Sequence, residues 1–373
     1  MTAIHSFPEL YKKNKDGSIQ LWEIWTRDDA ILTEHGKMNG KMQRSSKIAK
    51  GRSIGRSNET TPEAQAILIA GSMWRKKKDK GYFETTKEAE EKVVFLPMLA
   101  KELTPAKRSK LKFPVLIQPK MDGVRCLARW DGDKIKLLSR GGKEYTIPHL
   151  SEALEAVINP GQVLDGEIYI HGLLRQDINA LVKKHRTKEY EDTGYCSADL
   201  EYWIYDVFSM DNLEEPFVDR LKVLKALNVD GKTLRSVRTL KVHHNNSIKA
   251  CHEIYTKYYF EGTIVRLPEG IYELGHRSQN LLKYKDFKDD EFTIIGYKEG
   301  EGKYTGCVVW NCSLANGKDF DVVPKGTIKQ KKQWFQDANQ YIGKEITVKF
   351  QGFTKAGIPD IPVGLGLRLD GDK

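Results

Sequence analysis

Lys120 stands in "IQPKMDGVRC", at the end of an apolar, strand-like run and just before an Asp-Gly turn, with Arg125 five residues on. A lysine amine is nucleophilic only when neutral, and a pKa of about 10.4 leaves roughly one molecule in a few thousand neutral at pH 7. Lys120 is therefore either a solvated surface charge or a group whose surroundings depress its pKa. Further polar groups recur at or inside other strand-like runs: Ser139-Arg140-Gly141-Gly142, Asp165-Gly166-Glu167, Tyr205-Asp206 in "YWIYDVF", Glu261-Gly262 before "TIVR", and Lys283 and Lys285 in "LLKYKDF". Residues two apart on a strand share a face, so Lys283 and Lys285 point one way and Leu282 and Tyr284 the other. Singly these are ordinary turn and edge-strand chemistry. As a set they offer an amine, cations able to lower its pKa, and several carboxylates.

Three segments must position them. Residues 95–288 alternate strand and helix signals: "VLIQPKM", the hairpin "RCLARWDGDKIKLLSR" around Asp131-Gly132, a short helix "SEALEAVIN" with Ser151 as N-cap, "VLDGEIYI", "YWIYDVF", the helix "SIKACHEIYTKYYF", "GTIVRL" and "LLKYKDF". This order predicts an α+β domain on antiparallel sheets rather than a doubly wound parallel one. Residues 289–373 read as about five short strands with one helix near "IKQKKQWFQDANQYIG", the size of a small closed oligonucleotide-binding (OB) barrel. Residues 1–94 read as a small α+β module. Its helix "TPEAQAILIAGSMWRKKKDKGY" has Pro62 in the first turn, with Ala64, Ile67, Leu68 and Met73 expected inward and Gly81 near the end. Gly123 can take a positive φ and bring backbone close to a ligand.

The 373 residues are 39% hydrophobic with a formal net charge of +10, which favours an acidic partner, because positive surface attracts phosphate and releases its counterions. Seven cations and no acid lie between Gly36 and Asn58: Lys37, Lys41, Arg44, Lys47, Lys50, Arg52 and Arg56. Glycines and serines between them add amides and hydroxyls that reach phosphate oxygens, although a solvated basic loop would have the same composition. No window approaches a membrane span and no signal peptide opens the chain, so the expected place is the cytoplasm, nucleoid-associated, or the nucleus or cytoplasm for a eukaryotic virus. The five scattered cysteines have no C-x-x-C pair, which predicts free thiols rather than zinc. His243 and His244 read as surface loop.

K-x-D-G-x-R, S-R-G, D-G-E, an aromatic before Asp, E-G-x-x-x-R and K-x-K follow in one order from Lys120 to Lys285. This series resembles the covalent nucleotidyltransferase superfamily, most closely the small ATP-dependent DNA ligases of viruses and phages, over about residues 100 to 373. The resemblance implies that Lys120 attacks the α-phosphorus of ATP and carries AMP as a phosphoramidate. It implies that Arg125 and Arg140 hold AMP, Arg140 also binding the nick phosphate, and that Lys283 and Lys285 grip the α-phosphate. Glu167 matches an acid on the ribose that supports metal binding, Glu261 an acid that places Mg²⁺ (or Mn²⁺), Tyr205 an aromatic stacked on adenine, and Gln118 a contact to the purine edge. "PVGLGLRLDGDK" resembles the last barrel motif, with Arg368, Asp372 and Lys373 as matching positions. Residues 1–94 are faintly similar to WGR-type nucleic-acid-binding modules, although "WTR" stands where Trp-Gly-Arg is expected.

The expected function is nick sealing in duplex DNA through lysyl-AMP and adenylated DNA, by a monomer with no obligatory protein partner and no membrane. An mRNA-capping guanylyltransferase or RNA ligase shares the lysine motif, and a non-catalytic nick- or end-binding protein would keep the fold alone.

Overall fold

The computed structural model describes residues 4–14, 16–91, 95–184 and 193–367. Two compact units divide the chain: Val94–Asp286 is one, and Met1–Val93 with Phe287–Lys373 is the other.

The second unit begins with β1 Ile4–Ser6, β2 Leu10–Lys13, β3 Ile19–Arg27, β4 Ala30–Lys37 and β5 Gln43–Ile48, followed by helices α1 Pro62–Lys78 and α2 Thr86–Glu91. The strands form an antiparallel sheet in the order β1-β3-β4-β5, with β2 also on β3 and β5 at an edge. Alternation in β3 puts Trp22 and Ile24 into a core with Leu10, Ile31, Ala66 and Ala70. Thr61 caps α1, its hydroxyl accepting from Ala64 N–H, and Pro62 occupies the first turn. The inward face differs from expectation: Ala66, Ala70 and Gly71 are buried, with Ile69, Met73 and Trp74 packed beside them, while Ile67 and Leu68 are exposed. The helix carries apolar residues around more than one face, and the sheet lies close enough that the small ones face it.

Unit Val94–Asp286 comprises β6 Leu99–Glu102, α3 Pro105–Arg108, β7 Val115–Lys120, β8 Val124–Asp131, β9 Lys134–Ser139, β10 Glu144–Tyr145, α4 Pro148–Glu155, β11 Gln162–Tyr169, α5 Arg175–Lys184, β12 Glu201–Ser209, α6 Phe217–Ala226, β13 Leu234–Ser236, β14 Leu240–Val242, α7 Asn245–Lys257, β15 Gly262–Arg266 and β16 Arg277–Tyr284. One sheet runs β10-β9-β8-β11-β12-β13 and the other β14-β7-β15-β16-β6. The pairs are antiparallel as expected, except that edge strands β13 and β6 run parallel to their neighbours. Met98, Leu127, Leu138, Val163, Phe208, Tyr272 and Leu281 form a core drawing on both sheets.

Two local expectations shift. The hairpin turn is Gly132-Asp133, because Asp131 already pairs with Lys134. Helix α4 opens at Pro148 rather than after Ser151: proline has no N–H to satisfy at that position, and Ile147 caps without a side-chain bond.

The barrel closes as β17-β18-β19-β21-β20, from β17 Lys288–Glu299, β18 Val308–Ser313, β19 Asp319–Pro324, β20 Glu345–Phe350 and β21 Val363–Leu367, with α8 Ile328–Gln336 before β20. Alternating Ile294, Val308, Trp310, Val322, Ile346 and Val348 fill it.

Candidate active site

Strand β7 ends on Lys120, and β15 begins directly opposite: Gly262 pairs with Lys120, and the Glu261 N–H donates to the Lys120 carbonyl (2.7 Å). β16 pairs with β15 with Thr263 opposite Tyr284, so Glu261 and Lys285 lie just past the same end of one ladder. The Glu261 carboxylate consequently holds two amines, Lys120 on Oε2 and Lys285 on Oε1. The backbone at Gly262 has no room for a side chain, since a Cβ would lie 2.3 Å from the Tyr284 carbonyl oxygen.

Burial lowers the pKa of Lys120; Glu167 and Asp122 oppose that, while Arg125 and Arg175 reinforce it. Lys283 is lowered by burial and by Lys120 and Arg277. Leu281 enters the core between the sheets and Leu282 the opposite one, so the expected alternation around Lys283 holds. Gly123 does not use its conformational freedom. Its φ is not positive; the turn demands glycine because a Cβ would lie 2.6 Å from the Ile168 carbonyl oxygen and 2.7 Å from Glu167 Cγ.

Arg125 donates from Nε to Asp165 Oδ1 (2.6 Å) and from Nη2 to Asp165 Oδ2 (2.5 Å) and Met98 O (3.1 Å). Tyr272 donates its hydroxyl to Asp165 Oδ2 (2.6 Å). Asp165 is fully buried, so the guanidinium is held in one plane by a bidentate pair in a dry setting. The same guanidinium lies 5.1 Å from the centre of the Tyr205 ring.

Tyr205 owes its position to a β-bulge. Asp165 pairs with Asp206 and Gly166 with Ile204, which leaves Tyr205 as the extra residue of β12. Before the bulge Tyr202 and Ile204 enter one core; after it Val207 does, while Phe208 joins the core between the sheets. The Tyr205 hydroxyl lies 3.2 Å from Gly166 O and 3.4 Å from Glu167 Oε2. Glu167 is pushed up to about 7 by burial, with Lys120 and Arg125 pulling it back.

Gln118 is buried with its amide engaged inside the protein: Nε2 donates to Tyr205 O (3.0 Å) and Thr239 Oγ1 (2.9 Å), and Oε1 accepts from Arg266 Nε (2.8 Å). This geometry is set against the expected purine contact, because no amide hydrogen is left for a base. Arg266 continues to Asp206 Oδ2 (2.7 Å), which Arg220 grips bidentately (2.9 and 3.0 Å). Arg140 is exposed on the Ser139–Gly142 turn, its pKa lowered by burial of part of its side chain and then by Arg277 and Arg125.

The structure thus brings Lys120, Arg125, Glu167, Tyr205, Glu261, Lys283 and Lys285 into one neighbourhood. Arg368, Asp372 and Lys373 lie outside the described residues. The seven basic residues belong to the other unit and are all exposed, on and around edge strand β5 rather than on a single loop. Three are paired: Lys37 with Asp16 (2.6 Å), Arg44 with Glu34 (2.9 Å) and Lys47 with Glu301. His243 and His244 are exposed between β14 and α7. Sequence reasoning gave no role to Asp165, Asp206 or Arg266, although all three stand inside the motifs quoted for it. Tyr272 and His252 carried no signal.

Among the described residues no group of three or more His, Cys, Asp or Glu could hold a metal alone. Magnesium needs no such cage, since one or two carboxylates with phosphate oxygens and water suffice. Glu261 and Glu167 supply hard oxygen donors, and Glu167, whose pKa burial raises, is a carboxylate that a bound cation would hold ionised, so the residues fit the ion.

The family model for the ATP dependent DNA ligase domain matches residues 97–285, and that for the DNA ligase OB-like domain matches residues 299–368. The DNA ligase of African swine fever virus is 28% identical over 370 residues, covering 93% of this chain and 84% of that protein. The DNA ligase of Enterobacteria phage T4 is 23% identical over 322 residues, covering 70% of this chain and 66% of its own. In fold the chain resembles a solved Lig E DNA ligase, with a TM-score of 0.59 and 23% identity over 74% of this chain and all of that one. The chain belongs to the ATP-dependent DNA ligases.

Proposed function

We propose that Lys120 is the residue through which this ligase uses ATP, and that the cluster around it divides the work of nick sealing. The observation that carries this reading is the shared Glu261 carboxylate, which holds the Lys120 and Lys285 amines at the end of one ladder. Lys120 Nζ, once neutral, attacks the α-phosphorus; a P–N bond forms, the bond to the bridging oxygen breaks, and pyrophosphate leaves. AMP then passes to the 5′-phosphate at the nick, and the 3′-hydroxyl displaces it as the phosphodiester forms.

Lys283 and Lys285 face the phosphoryl oxygens and offset their growing negative charge. Arg125, aligned by Asp165, fixes AMP against the Tyr205 ring, and Arg140 on its turn reaches the nick phosphate. Glu167 and Glu261 would hold Mg²⁺, with Mn²⁺ able to substitute, which supplies charge neutralisation at the phosphates when bound. Gln118 acts through others: it orients the Tyr205 backbone and Arg266. The exposed cations of the N-terminal sheet grip the duplex, and the enzyme works as a monomer.

The test is incubation of the purified chain with Mg²⁺ and α-labelled ATP, GTP or NAD, for wild type and Lys120→Ala. Label from ATP alone, retained after denaturation and lost in the variant, is the expected result. Label retained in Lys120→Ala would overturn the assignment, and label from GTP would favour capping chemistry. Sealing of DNA-nicked against all-RNA-nicked duplex then separates the polymers.

A further inference from the structure

The acid-free basic run carries three exposed apolar residues, Met38, Ile48 and Ile54, of which Ile54 is the most exposed. Ile54, in "GRSIGRSN", is 80% exposed and stands between Arg52 and Arg56. The loop that carries it is built rather than slack. Arg52 N–H donates to Thr60 O (3.1 Å) and Thr60 N–H to Arg52 O (2.9 Å), which closes its base. Inside, Arg56 N–H donates to Ser53 O (2.9 Å), and Gly55 N–H to Glu59 Oε2 (2.8 Å). Ser53 sits at φ +58°, a left-handed conformation that a non-glycine residue adopts only when its surroundings impose it. A cavity of about 600 Å³ adjoins the loop, lined by Arg52, Arg56, Asn58 and Thr60 with Leu68 of α1.

Ile54 thus presents a fixed apolar side chain on a closed loop, with an arginine on either side. Duplex DNA satisfies both features: phosphates on either side of a groove attract the arginines, and minor-groove proteins frequently wedge an apolar side chain at a base step. We propose that the loop Arg52–Thr60 is a minor-groove contact, with Ile54 inserted at a base step and Arg52 and Arg56 on the flanking phosphates. The cavity beside it takes one sugar-phosphate stretch through the arginines, Asn58 and Thr60. This inference rests on the reading that the N-terminal sheet grips DNA, and it specifies where.

The experiment uses the full chain and a nicked duplex carrying 2-aminopurine at successive positions on both sides of the nick. Wild type raises the fluorescence at one step outside the nick, as an unstacked base does; Ile54→Ser abolishes that rise and weakens binding about tenfold or more, with an unchanged salt slope. Arg52→Ala with Arg56→Ala weakens binding and flattens the salt slope by about 2. Self-adenylation with ATP stays at the wild-type level in each. No fluorescence change in wild type, or unchanged binding in both variants, overturns the loop contact. A companion variant, Lys41→Glu with Lys50→Glu, separates the two readings. If it loses affinity while the loop variants do not, the sheet grips DNA elsewhere; if none loses affinity, both readings fail.

Discussion

Asp165→Asn is the perturbation with the most structure behind it. The Asp165 side chain is 1% exposed and that of Arg125 18%, so the pair sits almost wholly out of water. Asparagine keeps the volume but replaces an acceptor oxygen with an NH₂ that faces two donors, the Arg125 guanidinium and the Tyr272 hydroxyl. Removing one member of a buried ion pair costs about 3–5 kcal/mol, because the remaining charge stays desolvated. At about 2–4 °C per kcal/mol for a domain of this size, the unit Val94–Asp286 should melt roughly 6–20 °C lower. Hydrogen exchange at the β8 and β11 amides reads that unit without interference from the other. The double variant Asp165→Leu with Arg125→Met removes both charges and should recover most of the lost stability, although not adenylation, which loses its arginine. A loss under about 1 kcal/mol in Asp165→Asn would refute the buried pair as the anchor of Arg125. So would a double variant no more stable than the single one.

Three further outcomes follow from the same geometry. The neutral amine of Lys120 is the reactive form and its pKa is lowered, so self-adenylation at saturating ATP should rise with pH and level off below the ordinary 10.5. Arg175→Met removes a cation that lowers it and should move that inflection upward; a rate still climbing at pH 10.5 in wild type would contradict the burial of the amine. Gly123→Ala forces a Cβ against Glu167 Cγ and the Ile168 carbonyl, so adenylation should fall by on the order of a hundredfold from displacement of Glu167 and Lys120, measured by single-turnover labelling. Wild-type rates there would show that the turn relaxes freely. His252 is buried on α7, with Nδ1 3.1 Å from Thr263 Oγ1 and Nε2 2.9 Å from Asp286 Oδ1, the latter approach too oblique for a hydrogen bond. It thus spans the ends that carry Glu261 and Lys285. His252→Ala should slow lysine adenylation while sealing of pre-adenylated DNA is less affected, and equal slowing of both steps would make it a general packing residue.

The order of polar motifs from Lys120 to Lys285 was legible in the sequence because each stands at or inside a strand, where alternation and turn chemistry make a misplaced charge visible. The barrel was legible too, since its strands are short and alternate cleanly. The roles of Asp165, Asp206 and Arg266 are not legible in sequence, because a buried charge and a turn or edge charge share one local pattern; only the tertiary structure pairs Asp165 with Arg125 and Asp206 with Arg266 and Arg220. The bulge at Tyr205 is likewise invisible in β12, whose alternation reads as regular until β11 is paired against it. The inward face of α1 is not legible in its periodicity because apolar residues surround the helix; the sheet takes Ala66, Ala70 and Gly71 with Ile69, Met73 and Trp74 and leaves Ile67 and Leu68 outside. Sequence determined which chemistry the chain carries, since reactive groups and their order are covalent facts. Tertiary structure decided which acid holds which cation, because that depends on desolvation and on register between strands far apart in the chain.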